Sequence, residues 1–157
     1  MEYEFILRIF VAALLGGLIG LEREYRAKEA GFRTHFLVAL GSALFMIVSA
    51  YGFADVPMRG DGAMRWDVSR IAAQVVSGIG FIGAGTIIFQ KNVVKGLTTA
   101  AGLWVTSAIG MTAGAQMYDV AIAATVLVLI CLEGSNFLHH RVFNSHKPEY
   151  DADEKND

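Results

Sequence analysis

Hydrophobic residues fall along the chain in long runs that short polar or glycine-containing segments separate. The runs cover about 5–21, 36–53, 71–89, 97–117 and 120–138. A bilayer core of about 30 Å needs roughly 20 apolar residues in a helix, with about 17 at the lower limit. All five runs meet this limit. The sequence therefore predicts an all-α fold, a polytopic bundle of about five transmembrane helices over residues 1–140.

A soluble α/β protein is the alternative interpretation, in which the apolar runs are buried parallel strands or core helices. Strands usually have about 3–10 residues, and most helices of a soluble fold carry a polar face. Whole runs of this sequence lack such a face, which favours the membrane interpretation. The remaining residues, 141–157, are polar and acidic, so we expect a disordered cytoplasmic tail.

The distribution of Lys and Arg predicts the orientation, because these residues are enriched in short cytoplasmic loops. With the N-terminus outside, nine of them lie inside and four outside. The nine are Arg23, Arg26, Lys28, Arg33, Lys91, Lys95, Arg141, Lys147 and Lys155. We therefore expect the C-terminus in the cytoplasm of a bacterial cell and the whole bundle in its inner membrane.

Composition removes several classes of function. The net charge is −2 and no continuous basic stripe occurs, so no nucleic-acid partner is expected. No Ser/His/Asp or Cys/His arrangement and no phosphate-binding lysine motif is visible, so we expect neither an enzyme nor a cofactor. His139, His140 and His146 do not form a convincing metal site. Cys131 lies in an apolar run, where a small buried side chain is expected.

Small residues recur at four-residue spacing in two of the runs. Gly16 and Gly20 form a GxxxG pair in the first run, and a longer series occupies the fourth run. That series is Gly102, Thr106, Gly110 and Gly114. Helices in lipid associate where small residues let their backbones approach closely. We interpret both patterns as helix packing within the bundle, with homodimerisation as the alternative.

The segment 78–85 contains a literal GxGxxG. A dinucleotide-binding turn would need a preceding strand and an acidic residue about 20 positions later, and this run has neither. Close helix packing is the favoured interpretation. The alternative is a broken helix whose free backbone groups at Gly80, Gly83 and Gly85 would bind an ion or small solute.

Charged and polar residues cluster beside the first predicted cytoplasmic loop. Glu22 and Arg23 lie where the first helix would leave the bilayer, and Arg33, Thr34 and His35 lie where the second would enter. Ion pairs across this helical hairpin would form a proton or cation site, because charges at a lipid boundary are costly unless paired. The alternative is ordinary anchoring at the membrane interface.

Three further positions carry expectations. Thr98 and Thr99, after Lys95, are predicted to satisfy free backbone groups at the start of the fourth helix, where an anion could also bind. Arg8 is close enough to the end of its run to reach the headgroups. Glu133 either faces the bundle or extends to the headgroups, and the sequence does not decide between them.

Four segments now matter together: 17–24 (GLIGLERE), 31–35 (GFRTH), the glycine-rich 78–85, and 96–104 (GLTTAAGLW). In this order they resemble the motifs of the MgtC/SapB family of bacterial membrane proteins, over residue 5 to roughly residue 138. The positions that the resemblance marks are Gly16, Gly20, Glu22, Arg23, Gly31, Arg33, Thr34, His35, Gly80, Gly83, Gly85, Gly96, Leu97, Thr98, Thr99 and Trp104.

The resemblance implies a membrane protein of magnesium homeostasis and stress adaptation. Virulence members of the family act in adaptation to low magnesium and restrain the membrane ATP synthase, and they are often labelled magnesium transporters. Those members continue into a soluble C-terminal domain where this sequence has a short tail, so we expect the membrane module alone.

Two functions follow as hypotheses. The first is a non-enzymatic regulator of another membrane protein complex, such as the ATP synthase or an ion transporter. The second is a cation or proton transporter that works as a homo-oligomer, with a dimer favoured. A continuous third helix without a polar cavity would favour the regulator, and a break facing a cavity lined by Glu22 or Gln74 would favour transport.

Overall fold

The computed structural model describes residues 2–53, 67, 69–90 and 92–138, with side chains over 3–53, 67, 69–90 and 92–134. Its elements follow in the order α1 (Glu2–Tyr25), α2 (Phe32–Tyr51), α3 (Ser69–Ala84), β1 (Ile88–Gln90), β2 (Val93–Lys95), α4 (Leu97–Gly114) and α5 (Tyr118–Leu138). The predicted tail and the histidines at 139, 140 and 146 lie outside the described residues.

Each of the five predicted apolar runs overlaps one of these helices, so the mainly helical fold is confirmed. In the part of the chain that the structure describes, two helical segments, Tyr3–Tyr25 and Phe32–Tyr51, are long and apolar enough to cross a membrane by length and composition. Five membrane crossings and their orientation stay predictions. The helix α2 begins four residues before the predicted run, so Arg33, Thr34 and His35 lie in its first turn.

The all-α prediction is wrong in one place, because residues 85–89 of the third run are not helical. The helix α3 ends at Ala84, and β1 pairs with β2 in an antiparallel hairpin with Ile88 opposite Lys95. Ile, Phe and Val favour the pleated strand surface. Asn92 adopts a left-handed conformation in the turn, with φ of 62°, which Asn tolerates better than most residues.

The core of the bundle lies between α1, α2 and α4, which all contact one another. The helix α3 packs on α2 and α4, whereas α5 packs on α1 and α4. Large apolar side chains on the outer surface, such as Phe10, Phe81 and Leu127, are mostly exposed. Such an extended apolar surface is unusual in water and is the surface expected of helices that contact lipid.

Small residues sit where the three core helices meet. A Cβ atom added to Gly16 would collide with the Ala39 side chain and lie 2.7 Å from the His35 carbonyl oxygen. A Cβ at Gly110 would collide with the Ala39 backbone, and one at Gly114 would lie 2.8 Å from the Ala43 carbonyl oxygen. These glycines therefore set the distance between the helices.

Gly20 packs in the same way against the start of α2, since a Cβ there would lie 2.6 Å from the Cα of Phe32. Gly102 differs from the others, because its nearest neighbour is the His35 ring, 3.6 Å from the Cβ position. At this level a side chain, and not a second backbone, fills the space beside α4.

The glycine-rich segment 78–85 does not pack as tightly. The helix α3 continues through Gly78, Gly80 and Gly83, and it ends just before Gly85. A Cβ at Gly78 or Gly80 would meet nothing within 4 Å, and one at Gly83 would make ordinary contact with Ala100. Close packing, the favoured interpretation, is therefore found at most at Gly83.

These contacts predict opposite effects for two Gly-to-Ala substitutions. Gly110→Ala should lower stability by about 1–3 kcal/mol, because the new methyl group collides with the Ala39 backbone. Gly78→Ala should be neutral or stabilise by up to about 1 kcal/mol, since alanine favours the helix and space is open. Thermal unfolding of both variants in detergent, followed by circular dichroism, measures the difference. Equal melting temperatures would contradict the close approach of α2 and α4.

Candidate functional site

Most of the charged side chains that the structure describes lie at one end of the bundle, where α1 ends, α2 and α4 begin and the β-hairpin lies. We call it the hairpin end. It contains a pocket of about 620 Å³, the hairpin-end pocket. Its lining residues come from α1, the 26–31 segment, β2, α4 and α5, and they are Arg23, Lys28, Glu29, Val94, Lys95, Gly96, Leu97, Thr98, Thr99, Cys131 and Leu132.

The wall that α1 supplies holds a buried ion pair. Arg23 is 3% exposed, and its Nε donates to Glu22 Oε2 over 2.7 Å while Nη2 donates to Oε1 over 3.3 Å. Arg26 lies near the same carboxylate, with Nε 3.9 Å from Oε1. A guanidinium this deeply buried requires such a partner. Glu22 therefore offsets the charge of Arg23 inside α1.

The connection between α1 and α2 is fixed at both ends. Arg26 donates from Nη2 to Glu133 Oε1 on α5, and the backbone N–H of Phe32 donates to Glu24 Oε2 over 2.8 Å. Glu133 is 61% exposed, so it points away from the core and links α5 to the segment that follows α1. Among the described side chains, the ion pairs join Glu22 to Arg23 and Arg26, and Arg26 to α5, and none of them joins α1 to α2 as the sequence predicted. Arg33 is exposed on the first turn of α2, beside half-buried Thr34.

The start of α4 differs from the expectation for Thr98 and Thr99. Gly96 is the N-cap residue, with φ of 88°, and no side chain caps the helix. Glycine is required at this position for two reasons. The left-handed conformation disfavours residues with a side chain, and a Cβ would collide with the Thr86 carbonyl oxygen. Thr99 is buried and donates from Oγ1 to Glu29 Oε2 over 3.0 Å. Among the described residues, no side chain accepts from the first backbone N–H groups of α4.

Glu29 has a lowered pKa. Its own backbone N–H is the largest cause, followed by the Thr99 hydroxyl, and the nearby charges of Lys28 and Lys95 add to both. All of these groups stabilise the carboxylate form. The two lysines are exposed, and among the residues with described side chains neither makes an ion pair within 4.0 Å.

Polar side chains also continue from the hairpin end into the bundle between α2 and α4. His35 is fully buried, and its Nδ1 lies 3.1 Å from the Gly31 carbonyl oxygen, to which it donates. Ser42 and Ser107 share a hydrogen bond of 2.8 Å. Among the described residues, His35 Nε2 and Thr106 Oγ1 are buried without a hydrogen-bond partner.

A second cavity, of about 510 Å³, lies between α2, α3 and α4. Gln74, Ser42 and Ser107 are its polar lining residues, beside Gly78 and several apolar side chains. The helix α3 is unbroken as far as Ala84, which argues for the regulator hypothesis. The third predicted run is not helical beyond Ala84, and a cavity that includes Gln74 lies beside α3, and both observations argue for transport. The two tests that the sequence suggested therefore point in different directions.

Two residues were misjudged from the sequence. Arg8 does not reach outward: it is 2% exposed and donates to the Gly114 carbonyl oxygen over 3.0 Å. It lies over the rings of Phe5 and Tyr51, 5.1 and 5.0 Å from their centroids. The C-terminal carbonyl groups of α4 and the ring faces attract the cation. Cys131 is exposed and lines the hairpin-end pocket.

Comparison with known proteins adds to this geometry. The sequence profile of the MgtC family matches residues 9–141. A putative magnesium transporter of Escherichia coli (strain K12), YhiD, is 53% identical over 144 residues, which cover 92% of this chain and 66% of YhiD. Protein MgtC of Salmonella typhimurium (strain LT2) is 44% identical over 129 residues, 82% of this chain and 51% of MgtC.

An uncharacterized protein of Synechocystis, slr0014, is 39% identical over 150 residues, 92% of this chain and 60% of its own length. The chain thus spans between half and two thirds of the length of these relatives. No solved structure matches it.

The contact between Thr99 and Glu29 predicts a change in titration. Thr99→Val should raise the pKa of the Glu29 carboxyl toward its ordinary value of 4.5, because one hydrogen bond to the carboxylate is lost. A lowered pKa stabilises the fold above about pH 4.5, and this contribution is lost as the pH falls through the folded value. The variant should therefore show a smaller loss of stability under acid.

NMR titration of the carboxyl carbon in detergent micelles measures this pKa. Thr98→Val is the matched control, since Thr98 is exposed and should leave the titration unchanged. If Thr99→Val titrated like the original chain, the hydrogen bond would not contribute to the lowered pKa.

Proposed function

Because this chain belongs to the MgtC family, we propose that it is a non-enzymatic membrane module that regulates another membrane protein in adaptation to magnesium limitation or acid stress. The regulated protein is the ATP synthase or an ion transporter. The similarity to the magnesium-related relative supports the physiological setting. These relatives are longer than the chain and match it over only part of their length, so their names serve here as a guide to its function.

The proposal includes a location in the bacterial inner membrane with five crossings, the N-terminus outside and the hairpin end in the cytoplasm. Two helices of sufficient length and apolar character support it. The excess of Lys and Arg on the predicted cytoplasmic side supports the orientation. Under this topology the hairpin-end pocket opens toward the cytoplasm.

One observation carries the regulator hypothesis: backbone atoms fill the centre of the bundle. Ala39 of α2 lies against Gly16 of α1 on one side and against Gly110 of α4 on the other. Helices that touch through their backbones leave no space between them for an ion to pass. Such a rigid core suits a protein that acts by presenting surfaces to a partner.

Transport by a homo-oligomer is the second candidate, and the buried polar groups between α2 and α4 favour it. His35, Thr106, Ser42 and Ser107 provide imidazole and hydroxyl groups at successive levels of the bundle. Such neutral groups suit a proton better than Mg²⁺, which prefers carboxylate oxygens and its own water shell. The cavity beside Gln74 would then adjoin the path.

The regulator hypothesis predicts a stoichiometric partner and a change in that partner's activity. Crosslinking in native membranes at low magnesium should recover the chain with one membrane complex in a fixed ratio. ATP hydrolysis by inverted membrane vesicles should fall at least about twofold when the chain is present. Vesicles from cells without the chain are the control. Failure to recover a stoichiometric partner would contradict the hypothesis.

The transport hypothesis predicts ion flux into liposomes that contain only the purified chain. Proton and Mg²⁺ flux would be measured for the original chain, Glu22→Gln and Gln74→Leu, with Arg33→Gln as the control for loss of an exposed charge. Flux that either test variant lowers at least about tenfold, and that the control retains, would support transport. No flux from the original chain would remove this candidate.

A further inference from the structure

We propose that the hairpin-end pocket binds a phosphate group through Lys28, Lys95 and the first backbone N–H groups of α4. The phosphate is that of an anionic lipid headgroup or of a soluble phosphate ester. The interpretation of this ligand as the signal to a regulator rests on the proposed function. Binding of the phosphate does not rest on that function, because binding requires only the pocket.

The charges around the pocket favour an anion. Arg23 is already offset by Glu22, so among the described residues that line the pocket, Lys28 and Lys95 are the cations without an ion pair. They face one carboxylate in the pocket, Glu29, which accepts the hydrogen bond of Thr99. Both ammonium groups are exposed, so neither has to break an existing ion pair to bind phosphate.

The start of α4 supplies neutral donors to the same space. Gly96, Leu97 and Thr98 line the pocket, and no side chain caps this helix. Backbone N–H groups of a first helical turn point outward along the axis, and the helix dipole there favours negative charge. Gly96 has no side chain that could accept from these donors, although the Thr86 carbonyl oxygen lies where its Cβ would be.

The size and the surroundings of the pocket fit a ligand larger than phosphate. Its volume of about 620 Å³ is within the usual range for small-molecule sites, roughly 300–1,000 Å³. Apolar walls at Val94 and Leu132 would contact the remainder of the molecule. The adjacent hairpin exposes Ile88 and Phe89, an apolar surface suited to the lipid interface.

Binding to the purified full chain in nanodiscs tests the proposal. In the first experiment, inorganic phosphate is titrated into phosphatidylcholine nanodiscs that hold the chain, and calorimetry gives the affinity. In the second, native mass spectrometry measures how much phosphatidylglycerol the chain retains when it is released from mixed-lipid nanodiscs. Lys28→Gln and Lys95→Gln should each weaken binding about tenfold, the loss expected for one charged hydrogen bond. Glu29→Gln should strengthen binding severalfold, because a like charge is removed.

Arg33→Gln is the matched control, since Arg33 is an exposed cation at the hairpin end that does not line the pocket. Binding of inorganic phosphate with this pattern would support a soluble ester, and selective retention of phosphatidylglycerol would support a lipid headgroup. The proposal is overturned if neither probe binds or if the lysine variants behave like Arg33→Gln. It is also overturned if Glu29→Gln weakens binding, because a cation site would show that result. All four positions are exposed, so misfolding is not expected to obscure the comparison.

Discussion

The contact of three helices at Ala39 is the constraint on which the rest of the structure depends. Gly16 and Gly110 lack side chains where α1 and α4 reach this residue, so the backbones approach as closely as packing allows. The hydrophobic effect does not hold helices together in lipid, and close packing takes its place. A larger residue at either glycine would separate the helices and loosen the polar contacts between them.

Close packing also determines where polar groups can be buried. The hydrogen bond between Ser42 and Ser107 forms because α2 and α4 are near enough for two short side chains to meet. Gly102 leaves room for the His35 ring at the next level toward the hairpin end. By contrast, α3 has open space at Gly78 and Gly80 and lies beside a cavity. The bundle therefore combines a rigid three-helix core with a loosely packed third helix.

The two ends of the bundle differ in their chemistry. At one end, Arg8 is enclosed by aromatic rings and the last carbonyl groups of α4. At the hairpin end, the Arg26–Glu133 ion pair links the segment after α1 to α5. The pocket there is lined by the start of α4 and by Lys28 and Lys95, which make no ion pair with the described side chains. Membership of the MgtC family gives this asymmetry a setting in the membrane, and the regulator and phosphate proposals both use the hairpin end.

The sequence by itself determined the helical elements and the small residues of the core. Run length, absence of charge and four-residue spacing are local properties, and they pointed to the five helical regions and to Gly16 and Gly110 as packing positions. It also marked Glu22, Arg23 and His35 as polar groups near one end. The third run predicts a helix to residue 89, but α3 ends at Ala84. Residues 88–90 pair with β2 instead, and a local pattern does not show that a partner strand is present.

Only the tertiary structure decided which polar groups meet. Arg8 and Gly114 are 106 positions apart, and Glu29 and Thr99 are 70 apart, so no local pattern indicates either contact. The same holds for the pocket, whose walls come from segments that are distant in sequence. Such contacts depend on how closely and at what level the helices pack, and that is fixed by the sum of many side-chain contacts across the whole bundle.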